Sequence, residues 1–231
     1  MTATFPEFGS PASSSVAVRP ATALRMVGRP GVYRNGVKRL LDIAAVALAV
    51  PVVVPVVVAF AVAVSCDGSS PFYSQMRVGK DGKRFRMWKL RSMVPDADAR
   101  MADHLAADPE ARKEWDLTQK LRNDPRITPV GRLIRKTSLD ELPQLWNVLK
   151  GDMSLVGPRP MMTSQEALYP GTAYYLVRPG CTGYWQTSAR NETTFEARAQ
   201  FDAAYEEELS LWTDLKVLVR TVGVILRGTG C

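Results

Sequence analysis

A run of 22 residues without a polar side chain, from Ile43 to Val64, places the strongest limit on how this chain folds. As a straight helix rising 1.5 Å per residue, the run would reach about 33 Å, close to the thickness of the hydrocarbon core of a bilayer. Pro51 and Pro55 interrupt the run near its middle. Each proline lacks the N–H that a regular helix needs, so the pattern predicts a bent membrane segment.

Basic residues flank this segment on both sides. They are Arg34, Lys38 and Arg39 before it, and Arg77, Lys80, Lys83 and Arg84 after it. Because positive charge marks cytoplasmic flanks, both flanks are predicted to be cytoplasmic, which a single straight span does not allow. We therefore expect a re-entrant helical hairpin that turns at Pro51 and Pro55, with a proline-kinked span as the alternative. A secretory or lipoprotein signal ending near Cys66 is disfavoured, because the apolar run exceeds the roughly 7 to 15 residues of such signals.

The membrane segment divides the chain into three parts. Residues 1–36 are rich in Ser, Pro, Ala and Gly, and they are predicted to form a disordered basic tail. Residues 37–66 form the re-entrant segment. Residues 67–231 are predicted to form one compact cytoplasmic domain, because the whole chain of 231 residues is too short for two large cores.

The predicted fold class of that domain is α/β, mostly helical with a small β-hairpin. Phe72–Gln75 and Phe85–Trp88 are the expected strands of the hairpin, joined through an Asp-Gly turn. Helices are predicted at Asp96–Lys120, Val130–Lys136, Glu141–Leu149, Phe195–Glu208 and Leu211–Arg227. The last helix has a broad apolar face, which is typical either of packing on the core or of an amphipathic helix at a membrane interface.

Charge and residue counts restrict the chemistry. Lys and Arg number 30 against 23 Asp and Glu, and a net charge of +7 favours nucleic acid, a phospholipid surface or a phosphorylated substrate as partner. The single histidine, His104, argues against a histidine metal site or a Ser-His-Asp triad. Three cysteines without a close pair do not form a zinc knuckle or a disulfide framework. Carboxylates, hydroxyls and cations remain for catalysis, with Mg²⁺ as the type of metal they would hold.

The predicted hairpin is strongly basic. From Arg77 to Arg91 there are seven cations and one anion, Asp81, and Lys89 and Arg91 belong to this group. A solvated strand face would explain such a pattern. A binding surface for lipid headgroups or for a diphosphate is the alternative, because the hairpin follows the membrane segment directly.

The densest group of chemistry-bearing residues runs from Asp124 to Pro160. Pro143 has no N–H to donate, so it fits only the first turn of a helix, which predicts an N-cap at Asp140 or later. An N-cap carboxylate satisfies backbone donors, but it also stays ionised and available as a nucleophile toward phosphorus. The adjacent Glu141 is either a residue of the first turn or a ligand that holds Mg²⁺ against phosphate oxygens. The pattern alone leaves both alternatives open.

Several ordered motifs resemble the bacterial sugar transferase family, the monotopic polyprenol-phosphate phosphoglycosyl transferases. They are Lys38–Asp42, Lys89–Met93, Thr137–Leu145, Lys150–Pro160 and Arg178–Gly180 with Thr182–Gly183. The likeness extends from about Lys38 to Gly230. Val54 stands where the family has a serine before Pro55, and Ala189 stands where it has a glycine before Arg190.

The resemblance implies a two-step reaction. Asp140 would attack the β-phosphate of a nucleoside-diphosphate sugar and release the nucleoside monophosphate, and polyprenol phosphate would then take the phosphosugar. Glu141 would be the ligand of Mg²⁺. Arg135, Arg159 and Arg190 match basic positions implicated in substrate or phosphate contacts in the family, and Lys89 and Arg91 of the basic hairpin are further candidates for phosphate binding.

The resemblance also implies a place in the cell and a set of partners. The enzyme is expected at the bacterial inner membrane, in contact with membrane lipids, with its catalytic domain facing the cytoplasm and without a nucleic-acid partner. Whether it forms a homo-oligomer stays open. A non-catalytic, membrane-tethered protein that binds anionic ligands, or an inactive scaffold, is the alternative function, and release of nucleoside monophosphate would separate it from the enzyme.

Overall fold

The structure is a computed structural model that describes residues 31–118, 121–188, 195 and 197–226. Within these ranges the chain forms helices around two small sheets. The α-helices are α1 Lys38–Ser65, α2 Ala97–Ala107, α3 Pro109–Thr118, α4 Pro129–Lys136, α5 Gln144–Lys150, α6 Ala173–Leu176, α7 Tyr184–Ser188, α8 Arg198–Glu208 and α9 Leu211–Leu226. The strands are β1 Phe72–Val78, β2 Arg84–Leu90, β3 Ser154–Val156, β4 Met161–Met162 and β5 Gly180–Thr182. The expectation of a mostly helical protein with a small sheet is confirmed.

The apolar run lies in α1, a continuous helix of 28 residues that contains both Pro51 and Pro55. The predicted turn at the prolines is therefore not a break in the helix. Among the described residues, one helical stretch, from Tyr33 to Ser65, is long and apolar enough to cross a membrane. Whether this helix re-enters or spans the membrane stays a prediction.

Polar contacts attach the first turns of α1 to the domain. The ammonium of Lys38 lies 2.5 Å from a carboxylate oxygen of Asp214 on α9, and both side chains are buried. The Arg39 guanidinium donates to the backbone carbonyl oxygens at the end of α5, and the Asp42 carboxylate accepts from the backbone N–H of Leu155. Because these groups are partly or fully buried, each contact fixes the helix start relative to the domain.

The last turn of α1 is attached to the same domain. Val64 is buried against Leu90 at the end of β2 and Ile134 on α4. Its carbonyl oxygen accepts a hydrogen bond of 3.1 Å from Arg91. One compact set of elements therefore holds both ends of α1.

The residues just before α1 are part of the fold. Tyr33–Val37 form a π-helical turn, so the predicted tail boundary at residue 36 falls inside a helix. The Tyr33 hydroxyl donates to Asp214, and Arg34 forms an ion pair with Glu206. The remainder of the predicted tail, residues 1–30, lies outside the described part of the chain.

The predicted hairpin is confirmed. Strands β1 and β2 pair antiparallel, with Phe72 opposite Leu90 and Val78 opposite Arg84, and β4 adds to the other edge of β1. In the connecting turn, Asp81 and Gly82 have φ values of 56° and 73°. The left-handed backbone is what the Asp-Gly pair allows at low cost.

Other element bounds differ from the sequence-based expectations. The helix predicted over Asp96–Lys120 is divided at Asp108, because the Asp108 carboxylate accepts from the backbone N–H groups of Glu110 and Ala111 and so begins a new helix. Helix α8 begins at Arg198 rather than Phe195, and α9 is described up to Leu226. The strands β3 and β5, which pair in parallel, were not predicted.

Helix α9 packs on the core through one side and leaves apolar side chains exposed on the others. One side packs on the domain: Val217 is fully buried with Val156 and Tyr205. On its other sides, several large apolar residues remain exposed: Leu211, Trp212, Leu215, Leu218, Val219 and Val222. This exposed stripe is consistent with a helix that lies at a membrane interface.

Candidate active site

The candidate site forms in the short connection between α4 and α5. Helix α4 ends at Lys136, Ser138 has a left-handed backbone with φ 57°, and Leu139–Glu141 form a single 3₁₀ turn before α5 begins at Gln144. Asp140 is therefore not itself the N-cap of a regular helix; of the positions that the sequence allows, Asp140 or later, the structure uses a later one, directly before Gln144. Pro143, which motivated that prediction, precedes α5 directly and so still marks its start. Non-glycine residues with positive φ are uncommon and concentrate at functional sites, so the bend at Ser138 is a notable feature here.

The turn brings two carboxylates to one ammonium group. Lys89 Nζ lies 3.3 Å from Asp140 Oδ2 and 2.7 Å from Glu141 Oε1. Asp140 is buried, with 9% of its surface exposed, whereas Lys89 and Glu141 are partly exposed. Three of the residues singled out from the sequence thus meet at one point, at the end of β2.

Burial governs the protonation of Asp140. Loss of solvent raises the pKa of its carboxyl group above the ordinary value, and the neighbouring Glu141 raises it further. The ammonium of Lys89 opposes this shift of the pKa most strongly, and Arg135 on α4 adds to that opposition. Lys89 and Arg135 therefore favour the ionised Asp140, the form that a nucleophile needs.

A buried amide holds the two halves of this site together. The side chain of Asn147 on α5 accepts from the backbone N–H of Trp88 (3.1 Å) and donates to the backbone carbonyl of Arg86 (2.7 Å). These bonds fasten α5 to β2 beside Lys89. No local sequence pattern indicates this role, because an asparagine in a helix is common and its partners are about 60 residues away.

The remaining predicted basic residues do not all gather at this point. Arg91 donates to the backbone oxygens of Val64, Ser70 and Met93 and forms an ion pair with Asp67, so it fastens the end of α1 to the hairpin. None of these contacts involves Asp140 or Glu141. Arg190 lies outside the described residues.

Arg159 projects from a tightly packed loop that joins β3 and β4. Gly157 N–H donates to Thr182, and Gly180 N–H donates to Pro158, which ties this loop to β5. A Cβ on Gly157 would lie 2.3 Å from a backbone oxygen, and one on Gly180 would lie 2.1 Å from the Gly157 nitrogen, so both positions require glycine. The Arg159 guanidinium lies 5.7 Å from the centre of the Trp185 ring, within range of a cation–π interaction.

An apolar cavity of about 370 Å³ lies between α1 and the domain. The domain contributes Phe72 and Trp88 from the hairpin and, directly after Glu141, Leu142 and Pro143. Valines of α1 form the other wall: Val46, Val50, Val53, Val54, Val57 and Val58. A space of this composition suits a hydrocarbon chain.

Comparison with known proteins places this arrangement in a family. The chain matches the sequence model of the bacterial sugar transferase family over residues 33–228, which include both walls of the cavity and the carboxylate pair. The chain belongs to the bacterial sugar transferase family. The resemblance inferred from the motifs is thereby confirmed.

Individual relatives in the sugar transferase family support the same assignment. The chain is 46% identical over 196 residues both to the UDP-galactose-lipid carrier transferase of Erwinia amylovora and to the undecaprenyl-phosphate galactose phosphotransferase of Salmonella typhimurium. Each alignment covers 84% of this chain and 41% of the relative, so the chain spans about two fifths of their length. It is 39% identical to the exopolysaccharide production protein ExoY of Rhizobium meliloti, over 84% of this chain and 87% of the relative.

The carboxylate pair also fits the Mg²⁺ that the sugar transferase resemblance implies. Asp140 and Glu141 present hard oxygen donors to one shared point, which Lys89 Nζ marks. Within the described ranges, no group of three or more Asp, Glu, His or Cys side chains could enclose a metal. Mg²⁺ is commonly held by one or two carboxylates together with substrate phosphates, so a pair suffices.

Replacing Lys89 with methionine should make stability more sensitive to pH. A raised pKa in the folded state means that the stability Asp140 contributes is full below its unfolded pKa and is lost as pH rises through the folded pKa. Without the ammonium the folded pKa rises further, so Lys89→Met should be about 1–3 kcal/mol less stable than wild type at pH 8 and closer to it at pH 5. Chemical denaturation in detergent measures both values.

Lys150→Met is the matched control, because Lys150 also pairs with an aspartate, Asp152, but its side chain is 48% exposed. We expect it to lose at most about 0.5 kcal/mol at either pH. If both variants show the same pH dependence, Lys89 does not control the ionisation of Asp140.

Proposed function

We propose that this protein transfers a sugar 1-phosphate from a nucleoside-diphosphate sugar to polyprenol phosphate and so begins the assembly of an exopolysaccharide or related glycan. One observation carries the proposal: a buried carboxylate, paired with a second carboxylate and a lysine, is followed directly in the chain by residues that line an apolar cavity walled by α1. The site thus combines a nucleophile for phosphorus with space for a lipid. The names of the relatives from Erwinia and Salmonella describe transfer to a lipid carrier and to undecaprenyl phosphate, which supports this substrate pair.

In the first step, an ionised oxygen of Asp140 attacks the β-phosphorus of the nucleotide sugar. A bond forms between this oxygen and phosphorus, and the bond from phosphorus to the bridging oxygen breaks. The nucleoside monophosphate leaves with that oxygen, and the sugar phosphate stays on Asp140 as an acyl phosphate. Glu141 and Lys89 lie next to the reacting oxygen of Asp140, so their side-chain charges act directly on it.

In the second step, an oxygen of polyprenol phosphate attacks the same phosphorus. The bond to Asp140 breaks, and the carboxylate is regenerated. The product is a polyprenyl diphosphate sugar, and no net proton or electron is needed from another reactant. Splitting the transfer into two displacements lets both substrates use one carboxylate in turn.

Charge in the site supports this chemistry. Lys89 and Arg135 favour the ionised nucleophile in a buried position. Mg²⁺, when bound to Glu141 and the substrate phosphates, would neutralise charge on the diphosphate and favour departure of the nucleotide. Lys89, which already contacts both carboxylates, can then turn toward phosphate oxygens without leaving the site.

The apolar cavity is the proposed binding site for the first isoprene units of polyprenol phosphate. Its wall includes Leu142 and Pro143, the residues directly after Glu141, so a chain lying in it would place its phosphate near the carboxylate pair. The valines of α1 form the opposite wall, which connects the cavity to the apolar helix. Burial of hydrocarbon at about 25 cal/mol per Å² would supply the binding energy.

The attachment of α1 supports a re-entrant arrangement at the cytoplasmic face of the inner membrane. Lys38 and Val64, near opposite ends of the helix, both contact the same domain. A straight span would separate these residues by about 40 Å and place them on opposite sides of the bilayer. The exposed apolar stripe of α9, including Trp212 and Val219, would then lie against the same membrane surface.

Replacing Asp140 with asparagine should abolish transfer. The amide cannot form the acyl phosphate, so turnover should fall at least about a thousandfold, and no phosphosugar should remain on the protein when the reaction is quenched. Release of nucleoside monophosphate and intact-mass spectrometry measure the two effects. Asp116→Asn is the control, because Asp116 is an exposed aspartate on α3 paired with Arg112. Substantial transfer by Asp140→Asn, or an adduct on another residue, would refute the assignment of the nucleophile.

Filling the apolar cavity should selectively weaken the binding of polyprenol phosphate. Val53 lines the cavity, so Val53→Trp should raise KM for polyprenol phosphate about tenfold, equivalent to about 1.4 kcal/mol. Its KM for the nucleotide sugar should stay unchanged. Val52→Trp is the matched control, because Val52 is 70% exposed and does not line the cavity. An equal rise in KM for polyprenol phosphate in both variants would show that the cavity is not the binding site of the acceptor.

Both ends of α1 should be inaccessible from outside the cell. In a variant whose other cysteines are serine, a cysteine in the tail (Ser13→Cys) and the exposed native Cys66 can be tested separately with a thiol reagent that does not cross the membrane. A re-entrant helix predicts protection at both positions in intact cells and labelling at both after permeabilisation. Labelling of one position alone in intact cells would show that α1 spans the membrane.

A further inference from the structure

Three arginines converge at the end of the hairpin away from Lys89. Arg159 and Arg198 both lie over the Trp185 ring, with guanidinium carbons 5.7 Å and 5.4 Å from its centre. Arg198 also donates to the backbone carbonyl of Arg159 (2.6 Å). Arg77, on β1, lies opposite Met162 of β4, three residues after Arg159, and both of these arginines lower its pKa. We call Arg77, Arg159 and Arg198 the arginine cluster.

Two nitrogens in the arginine cluster are buried without a hydrogen-bond acceptor. They are Nε of Arg77 and Nε of Arg198, and this holds for the described part of the chain. Arg77 donates through another nitrogen to the Gln75 side chain (2.6 Å), and Arg198 is only 4% exposed. Buried donors are normally satisfied, because leaving one unpaired costs about 1–3 kcal/mol.

Positive charge in the cluster exceeds the negative charge near it. Burial and the neighbouring Arg159 and Arg198 lower the pKa of Arg77 to about 10. Burial also lowers the pKa of Arg198, against the opposing effect of Asp202, whose carboxylate accepts from the Tyr169 hydroxyl (2.8 Å). Among the described residues, three guanidinium groups are accompanied by one carboxylate, an excess of about two positive charges that an anionic ligand would balance.

The pairing of the hairpin strands shows how far the arginine cluster lies from Lys89, which contacts the carboxylate pair. Lys89 lies opposite Tyr73, so Lys89, Tyr73 and Arg77 share one face of the sheet. Tyr73 and Arg77 are four residues apart along β1, or about 13 Å. Long lysine and arginine side chains shorten the gap between the two charged groups. The apolar cavity includes Phe72 and Trp88, at the opposite end of the strands from Arg77.

We infer that the arginine cluster binds the diphosphate of the donor nucleotide. Arg77 and Arg159 contact its phosphate oxygens, and Arg198 positions Arg159 through the hydrogen bond to its backbone. This inference rests on the proposed function. The ligand chemistry is a phosphate anion, which both substrates carry. The position of the cluster, at the end of the hairpin away from the apolar cavity, assigns it to the water-soluble donor rather than to the lipid acceptor.

The roles of the three arginines differ because their exposure differs. Arg77 and Arg159 are partly exposed and have planar groups suited to bidentate contact with phosphate. Arg198 is buried, holds the backbone of Arg159, and stacks on Trp185 and Phe195. The phosphate that departs with the nucleoside gains charge as its bond to the sugar phosphate breaks, so cations at this place would also stabilise the leaving group.

Equilibrium binding to the full-length protein in detergent tests the inference. The probes are UDP, inorganic pyrophosphate and uridine, with isothermal titration calorimetry as the measurement. We expect Arg77→Gln and Arg198→Gln each to raise Kd for UDP and pyrophosphate at least tenfold and to leave the weaker binding of uridine within twofold. Arg84→Gln is the matched control, because Arg84 lies on the same hairpin in an exposed ion pair with Glu166.

Conservative variants separate charge from structure. Arg77→Lys and Arg198→Lys retain the cation but lose the planar fork, so their Kd for UDP should lie between those of wild type and the glutamine variants. If a glutamine variant fails to fold, the lysine variant still provides this comparison. In the transfer assay, the expected change is an increase in KM for the nucleotide sugar, with KM for polyprenol phosphate within twofold of wild type.

Each outcome decides between the alternatives. Unchanged Kd for UDP and pyrophosphate in both glutamine variants, or wild-type protein that binds neither probe, would overturn the arginine cluster as a diphosphate site. A rise in KM for polyprenol phosphate alone would assign the cluster to the lipid phosphate and would also overturn it. If the arginine variants lose UDP but wild type turns over no nucleotide sugar, the binding site stands and the proposed function fails. If turnover is normal and insensitive to the variants, the function stands and the site fails.

Discussion

A single ammonium group shared by two carboxylates is the interaction on which the candidate site depends. Asp140 is buried by a 3₁₀ turn, and burial alone would favour its neutral, unreactive form. Lys89 counters this effect from the neighbouring strand, and Asn147 fixes the distance between strand and turn. The position of β2 relative to α5 therefore determines the chemistry of a residue that belongs to neither element.

The same β2 links the site to the apolar helix α1. Leu90, at its end, packs on Val64, while Trp88 lines the apolar cavity that α1 closes. Lys38 and Arg39 attach the other end of α1 through buried or partly buried polar groups. Polar contacts of this kind would be costly inside hydrocarbon, so both ends of the helix are suited to the aqueous or interfacial side of the bilayer. The candidate site and the attachment of α1 therefore use one structural unit.

Charge is arranged unevenly along the hairpin. At one end, Lys89 is paired with two carboxylates, and at the other, the arginine cluster has an excess of positive charge among the described residues. This asymmetry is consistent with a site that receives a diphosphate with its sugar-bearing phosphate toward Asp140. A water-soluble donor and a lipid acceptor could then approach the same carboxylate from different directions without competing for one entrance.

The sequence by itself determined the features that depend on neighbouring residues: the apolar helix, the Asp-Gly hairpin, the pairing of Asp140 with Glu141, and the family. Tertiary structure decided the features that depend on distant residues. Local rules placed Asp140 at a helix N-terminus, whereas packing put it in a separate turn; they proposed Arg91 for phosphate, whereas it fastens α1 to the hairpin. The roles of Arg77, Arg198 and Asn147 had no local signal, because each depends on partners brought together only when the strands and helices pack. Short-range periodicity records backbone preferences, but the charge around a buried group is a property of the whole fold.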